Sequence, residues 1–377
     1  MAIRTNTAKW LEGQKRWQIN VQKDGRRRTF TCSTPGRTGQ RICNKKADDW
    51  LENNIVDPRI KVQTLWAKLI ETKKAAGHSR SQWSQFDQYG RNYVCKVIGH
   101  RRVASLTEQD LQDVIFYAHQ HPVKGNPLSY KSLHAIRDCL CAFIKFARKN
   151  NISTLIPEFL VIPKDAPRPE KRALQPKDIY TLLTSDDTTY RDKVVKDWYI
   201  HAFRLAAIVG LRPGELYGLR KGDVDIDTGE CRICGAINFF NEATHGKNKN
   251  ALRTFVLPDI ALSEVKAQIT MLRQHGVISP YLFPDQNGNA TKQSVAYRQW
   301  IRYREHNGIS DITPYELRHT FFSVNKEVPK ELVKMVGGHS DEFNTFGTYG
   351  HRLEGELTRA AELINDAYVD ILRRAKK

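Results

Sequence analysis

The stretch Pro163-Lys-Asp-Ala-Pro-Arg-Pro-Glu-Lys-Arg172 sets the tightest limit on how this chain can fold. Its three prolines fix φ and remove N–H donors, which excludes helix and central strand. The chain must therefore build separate domains on either side of a linker at 163–173, and a hinge there would let them close around a partner. With 377 residues it has enough length for two or three domains, each with a core of its own.

Residues 1–57 read as a small β domain. Trp17, Ile19 and Val21 alternate with Arg16, Gln18, Asn20 and Gln22, and Asp24-Gly25 is a strong hairpin signal. The return strand, Arg27–Cys32, sets Arg27, Thr29 and Thr31 opposite in phase to Phe30 and Cys32. A helix over Gln40–Ile55 would cover the apolar face through Ala47, Trp50 and Leu51. The polar face carries groups that hydrogen-bond phosphates and base edges, and a β ribbon fits the major groove. Arg16, Gln18, Asn20, Arg27 and Thr29 are its candidate DNA contacts.

Residues 58–162 read as a helical bundle. Val62, Leu65, Trp66, Leu69 and Ile70 form one stripe; further helices are expected over Arg80–Val97, Thr107–His119 and Ser129–Lys149, with Thr107 as a cap. The basic loop at His100-Arg101-Arg102 offers two more candidate DNA contacts, Arg101 and Arg102. Residues 174–377 form a larger α+β domain. Helices are expected over Pro176–Leu183, Asp192–Val209, Asp259–His275, Lys292–Glu305, Pro314–Asn325, Lys330–Val336 and Phe343–Tyr349. Strands are expected at Glu230–Ile237 and Leu252–Leu257, and a last helical stripe runs from Leu357 to Leu372.

Charge narrows the partner. Sixty Lys+Arg against 41 Asp+Glu leave a formal charge of +19, which suits a polyanion. There is no apolar run of about 18 residues that would span a membrane. The N-terminal Met-Ala-Ile-Arg-Thr carries no apolar signal core, so a cytoplasmic location is expected. Seven cysteines are spread along the chain, and Cys231-Arg-Ile-Cys234 is a lone pair where a zinc site needs about four ligands. No metal site and no cofactor are therefore expected.

The chemistry concentrates in four short boxes. Thr313-Pro-Tyr-Glu-Leu-Arg-His-Thr-Phe321 opens with a helix-start signal and carries Arg318 and His319. Gly337-Gly-His-Ser340 carries His339, and Thr345-Phe-Gly-Thr-Tyr-Gly-His351 carries Tyr349 and His351. Arg212 lies far upstream in Leu211-Arg-Pro-Gly-Glu-Leu216, with Glu215 three residues on. Arginine forks grip a phosphate and a tyrosine oxygen attacks it.

In order and spacing these boxes resemble the signature of the tyrosine recombinases, the family of phage and transposon integrases. The resemblance covers roughly residues 205–351 and implies a mainly α, mixed fold: a small N-terminal β arm-binding domain, a helical core-binding domain, and an α+β catalytic domain with a C-terminal exchange helix. It implies a site-specific recombinase that cuts and rejoins DNA through a 3′-phosphotyrosyl link, integrating or excising a phage or mobile element. Arg212 and Arg318 would hold the phosphate, Tyr349 would attack, and His339 would bind the phosphate or the nucleophile. Lys247 or Lys249, in His245-Gly-Lys-Asn-Lys249, would protonate the leaving oxygen. Glu215 would orient the arginines, with His319 and His351 in supporting places. The implied partners are double-stranded DNA with core-type and arm-type sites, three further copies in a tetramer, and accessory DNA-bending or excision factors. Two positions depart from the family pattern: Tyr315 stands where His or Lys is usual, and Gly337 stands where an apolar residue is common. Two other readings use the same residues, a type IB topoisomerase-like nicking and closing enzyme and a catalytically reduced DNA-binding regulator.

Overall fold

The computed structural model describes residues 4–23, 26–52, 59–123, 125–244, 252–338 and 355–375. The chain forms two units, one up to Pro169 and one from Glu170.

The first unit begins with a three-stranded antiparallel sheet, β1 (Lys9–Leu11), β2 (Arg16–Lys23) and β3 (Arg26–Cys32). Lys23 pairs with Arg26, so the register brackets Asp24–Gly25, which lies outside the described residues. Trp17 pairs with Cys32 and Ile19 with Phe30, placing the apolar positions together under α1 (Gly36–Glu52). Cys43, Ala47, Trp50 and Leu51 of that helix close a small core with Ile19 and Val21. The sequence pattern gave no sign of β1, which is three residues long and pairs along the far edge of β2. Ile55, expected on this helix, lies outside the described residues.

The helical part runs through α2 (Val62–Ala75), α3 (Arg80–Tyr89), α4 (Cys95–Val97), α5 (Glu108–Gln120) and α6 (Tyr130–Lys149). All five stripe residues of α2 are buried. The expected single helix over Arg80–Val97 is helical throughout but passes through a π turn at Gly90–Val94. The Trp66 indole N–H donates to the Phe86 carbonyl at 3.2 Å, and a Cβ at Gly90 would stand 2.1 Å from that nitrogen. Only a glycine lets the indole in. Thr107 caps α5 reciprocally with Asp110, and Ser129 caps α6 by accepting from the Ser132 N–H. The proline-rich stretch is not loose along its first part. Tyr130 N–H donates to the Pro167 carbonyl at 2.8 Å, and the Arg168 guanidinium lies 3.9 Å from the Tyr130 ring centroid.

The second unit opens with α7 (Pro176–Thr184), with proline at its first turn. Asp192–Val209 is not one helix: Asp187–Tyr190 (β4) and Lys193–Lys196 (β5) form a hairpin, and α8 spans only Ile200–Val209. Arg191 and Asp192 make the turn with φ of 50° and 59°. The β-branched pairs Thr188–Val195 and Thr189–Val194 face each other across it. α8 is buried at every position except His201 and stops at Gly210, where φ is +67°. A Cβ there would stand 2.4 Å from Phe321 Cδ1. Gly210→Ala combines left-handed strain with overpacking and should cost about 2–4 kcal/mol, read as a lower midpoint in urea or heat.

After α9 (Pro213–Gly218), strand β6 (Glu230–Ile233) pairs with β9 (Arg253–Val256). Between them β7 (Ala236–Ile237), the end of the expected first strand, pairs with β8 (Ala243–Thr244) in a second short hairpin. The expected strand Glu230–Ile237 is thus broken at Cys234–Gly235. Then come α10 (Asp259–Gln274), α11 (Gln293–His306), α12 (Pro314–Val324), α13 (Lys330–Gly337) and α14 (Glu356–Ala375). The expected helix Phe343–Tyr349 lies outside the described residues. α14 sits on its own unit: Ala360, Ile364 and Tyr368 are buried in the common core, Ala361 is buried beside them, and the Tyr368 hydroxyl donates to the Ala207 carbonyl. The helix implied to pass between protomers is therefore seated in cis in the single chain. No helix among the described residues is long and apolar enough to cross a membrane.

Candidate active site

The start of α12 is set by its sequence. Pro314 occupies the first helical position, and the Glu316 carboxylate accepts from the Thr313 N–H at 2.7 Å and from its hydroxyl at 3.0 Å. Leu317 and Phe321 enter the core, and the helix carries Arg318 in with them, leaving it 2% exposed. Its Nη1 donates to the carbonyls of Gly210 and Gly337.

Arg212 sits at the N-cap of α9. Glu215, in the first turn, accepts from the Arg212 backbone N–H at 3.1 Å and from its Nη1 at 2.7 Å. Arg212 Nη2 reaches the Gly338 carbonyl at 2.8 Å. A third guanidinium, which sequence reasoning missed, completes the group. Arg253 on β9 donates from Nη2 to Glu215 at 3.0 Å and from Nε to the Val336 carbonyl at 2.8 Å. The signal was present, since Arg253 is in phase with the inward-facing Phe255 on a short strand.

The last turn of α13 is the common anchor. The carbonyls of Val336, Gly337 and Gly338 each accept from a different arginine. A helix C-terminus presents carbonyls without helical partners and a negative dipole end, so it suits cations. Two glycines permit the approach. A Cβ at Gly338, where φ is +68°, would come within 2.6 Å of Arg253 Nη1, and one at Gly337 would stand 2.6 Å from the Phe322 ring. Gly337, a departure from the apolar residue common in the family, is thus matched to Phe322.

Among the described residues the cluster is short of negative charge: the guanidinium groups of Arg212, Arg253 and Arg318 gather around one carboxylate, Glu215, and carbonyls are neutral. Burial and the neighbouring Arg212 bring the Arg318 pKa down to about 10. Burial pushes Glu215 up, but Arg253 and Arg212 outweigh it and hold the carboxyl below its ordinary value. Such a site is completed by an anion with several oxygens. Arg212, whose side chain is 37% exposed, is the guanidinium nearest solvent.

Tyr315 is half exposed on the first turn of α12, with its ring edge-on to His319 at 5.5 Å. Burial and Lys171 lower the His319 pKa, which favours the neutral ring at pH 7. His339, Tyr349, His351, Lys247 and Lys249 lie outside the described residues. His339 follows Gly338 directly, and both lysines lie between β8 and β9 in sequence. Of the paired cysteines, Cys231 is buried in the core and Cys234 is exposed. Among the described residues no cluster of His, Cys, Asp or Glu could hold a metal ion.

In the N-terminal sheet, Gln18 lies across from Thr31, Asn20 from Thr29 and Gln22 from Arg27, on the strand positions alternate to the core. Thr29 donates to Asn20 Oδ1 at 2.6 Å, and Arg16 donates to Gln18 Oε1 at 3.4 Å. Arg27 is exposed and Arg16 half-buried. Arg101 is ion-paired to Asp110, the residue that caps α5, so of the two loop arginines Arg102 is the less committed.

Comparison with known proteins bears on the fold. The fold is that of solved DNA integrases. The Tn1549 transposon integrase in complex with transposon right end DNA aligns with a TM-score of 0.62 at 20% identity, over 80% of this chain and 98% of that one. A lambda integrase tetramer bound to a Holliday junction aligns with a TM-score of 0.55 at 13% identity, over 92% and 99%. Residues 172–356, just under half of the chain, match the phage integrase family. An integrase from Streptomyces ambofaciens is 22% identical over 319 residues, 78% of this chain and 77% of its own length. A XerC-like tyrosine recombinase from Caldanaerobacter subterraneus subsp. tengcongensis is 25% identical over 191 residues, 44% of this chain and 49% of its own length, so the match spans about half of that relative.

Proposed function

We propose that this protein is a site-specific DNA recombinase of the integrase type, acting in the bacterial cytoplasm on a phage or mobile element. The observation that carries this reading is the buried arginine cluster, positively charged overall and anchored on the turn that leads into His339. Pentavalent phosphorus in the transition state gains negative charge on its non-bridging oxygens, and preorganised guanidinium groups stabilise it. Arg212 and Arg318 grip the scissile phosphate, while Arg253 and Glu215 position them. The Tyr349 oxygen bonds to phosphorus as the bond to the 5′ oxygen breaks. The phenol proton passes to His339, and Lys247, with Lys249 as the alternative in that loop, supplies a proton to the 5′ oxygen. The phosphotyrosyl ester conserves the bond energy, so religation by an incoming 5′ hydroxyl needs no ATP.

The sheet of residues 1–57 is assigned to arm-type sites through Arg16, Gln18, Asn20, Arg27 and Thr29, and the helical part to core-type sites through Arg102. Strand exchange takes place between two duplexes in a tetramer, with α14 leaving its cis seat for a neighbouring protomer.

The test uses the DNA ends that flank the gene, nicked near the crossover and incubated with purified protein in EDTA. A covalent protein–DNA band should form on a denaturing gel and be absent with Tyr349→Phe. A band retained by that variant removes Tyr349 as nucleophile. Tight binding with no band on any flanking sequence points to a DNA-binding regulator instead.

A further inference from the structure

A cavity of about 580 Å³ opens beside the arginine cluster, and its walls are largely apolar. Besides the buried Tyr217, three exposed rings stand around it on three separate elements. Phe239, in the turn between β7 and β8, is 70% exposed; Tyr297 on α11 is 43% exposed; Tyr315 on α12 is 48% exposed. Rings held in solvent around one hollow mark a binding site more often than a bare surface.

Its place says what it binds. Pro213, in the wall, is the residue after Arg212, and Tyr315 is three residues before Arg318, on the same face of α12. The two elements that deliver the phosphate-gripping arginines therefore also build the cavity. Whatever is bonded to a phosphate held there lies at its mouth, and in DNA that is a nucleoside. The chemistry fits a flat heterocycle with a polar edge. The rings offer stacking faces, and Arg298 in the wall supplies a cation. Gln293 Nε2 is fixed on the Ile237 carbonyl at 2.7 Å, which holds the amide in place beside the cavity.

We infer that this cavity receives one base of the cut strand, unstacked from the duplex next to the scissile phosphate. The inference rests on the recombinase reading above. A base still paired and stacked cannot enter, so binding must open one pair, and stacking on the rings offsets that cost without regard to sequence.

The experiment measures binding of full-length Tyr349→Phe protein, which leaves the strand uncut, to the flanking DNA ends by gel shift. Single mismatches are placed in turn at each position around the crossover. A mismatch removes most of the cost of opening its pair, so at one position next to the scissile phosphate affinity should rise by about tenfold. In Tyr297→Ala and Phe239→Ala backgrounds that gain should vanish, while Tyr297→Phe, which keeps the ring, should retain it. Both side chains are exposed, and an unchanged unfolding midpoint will confirm that each variant folds.

A flat mismatch scan overturns the inference, as does a gain that survives both alanine variants. A flat scan in which Tyr297→Ala lowers assembly on DNA overturns it in favour of a contact between protomers. Protein with Tyr349 is run in parallel for the covalent band. Its presence beside a flat scan sinks this inference alone, and its absence removes the recombinase reading as well.

Discussion

Arg318→Lys should slow formation of the covalent protein–DNA band by about a hundredfold or more, with DNA affinity within a few fold of the parent. Lysine keeps the charge but loses the planar fork. Arg318 spends Nη1 on the Gly210 and Gly337 carbonyls, which fixes the rest of the guanidinium in a buried place. A lysine ammonium can satisfy those carbonyls, but then cannot present a second aligned donor to the phosphate. Removing one preorganised donor from a transition-state site costs on the order of a hundred- to a thousandfold in rate. Single-turnover cleavage and gel shift on the same DNA separate the outcomes. If binding and cleavage fall together, Arg318 only holds DNA. If neither falls, the phosphate is gripped elsewhere.

Glu215→Gln should destabilise the second unit by roughly 3–5 kcal/mol, because it leaves buried cations without their carboxylate. Glu215 and Arg253 side chains are each 3% exposed, so water does not screen the loss. Urea unfolding gives the number. Added sulfate should restore more stability to the variant than to the parent, since an anion then supplies the missing charge. No loss, or equal sulfate effects, would show that the carboxylate is not what balances the cluster. The pH dependence has a definite sign. The arginines hold the Glu215 pKa in the folded chain below its ordinary value. Its contribution is therefore complete above the pKa of an unfolded glutamate and lost as acid carries the pH down through the folded value. The variant should lack that part of the acid sensitivity.

The elements that carry the candidate site were legible only in part: Thr313-Pro314 announced the start of α12, whereas α9 was not expected, although Pro213 and Glu215 stand where a first-turn proline and a carboxylate reaching back to the N-cap belong. The buried stripes of α2 and α6 were plain. What was missed depends on contacts distant in sequence or on weak signals. Arg253 lies in a strand four residues long, and its partners Glu215 and Val336 are far along the chain. Strand β5 fell inside the helix expected over Asp192–Val209, because apolar residues continue upstream of Ile200, and β4 carried no sign of its own. The turn between them uses Arg191 and Asp192 at positive φ, without the glycine that usually announces such a turn. Tyr315 was noticed as a departure, but its place in the wall of a cavity needed α11 and the β7–β8 turn beside it.

The three successive carbonyls that end α13 bear on how such a reaction can be timed. Because Val336, Gly337 and Gly338 each hold a different arginine, α13 cannot tilt or slide without releasing all three. The arginine cluster is thus a preassembled fixture and a poor place for a switch, so any timing of the reaction has to act on another part of the molecule.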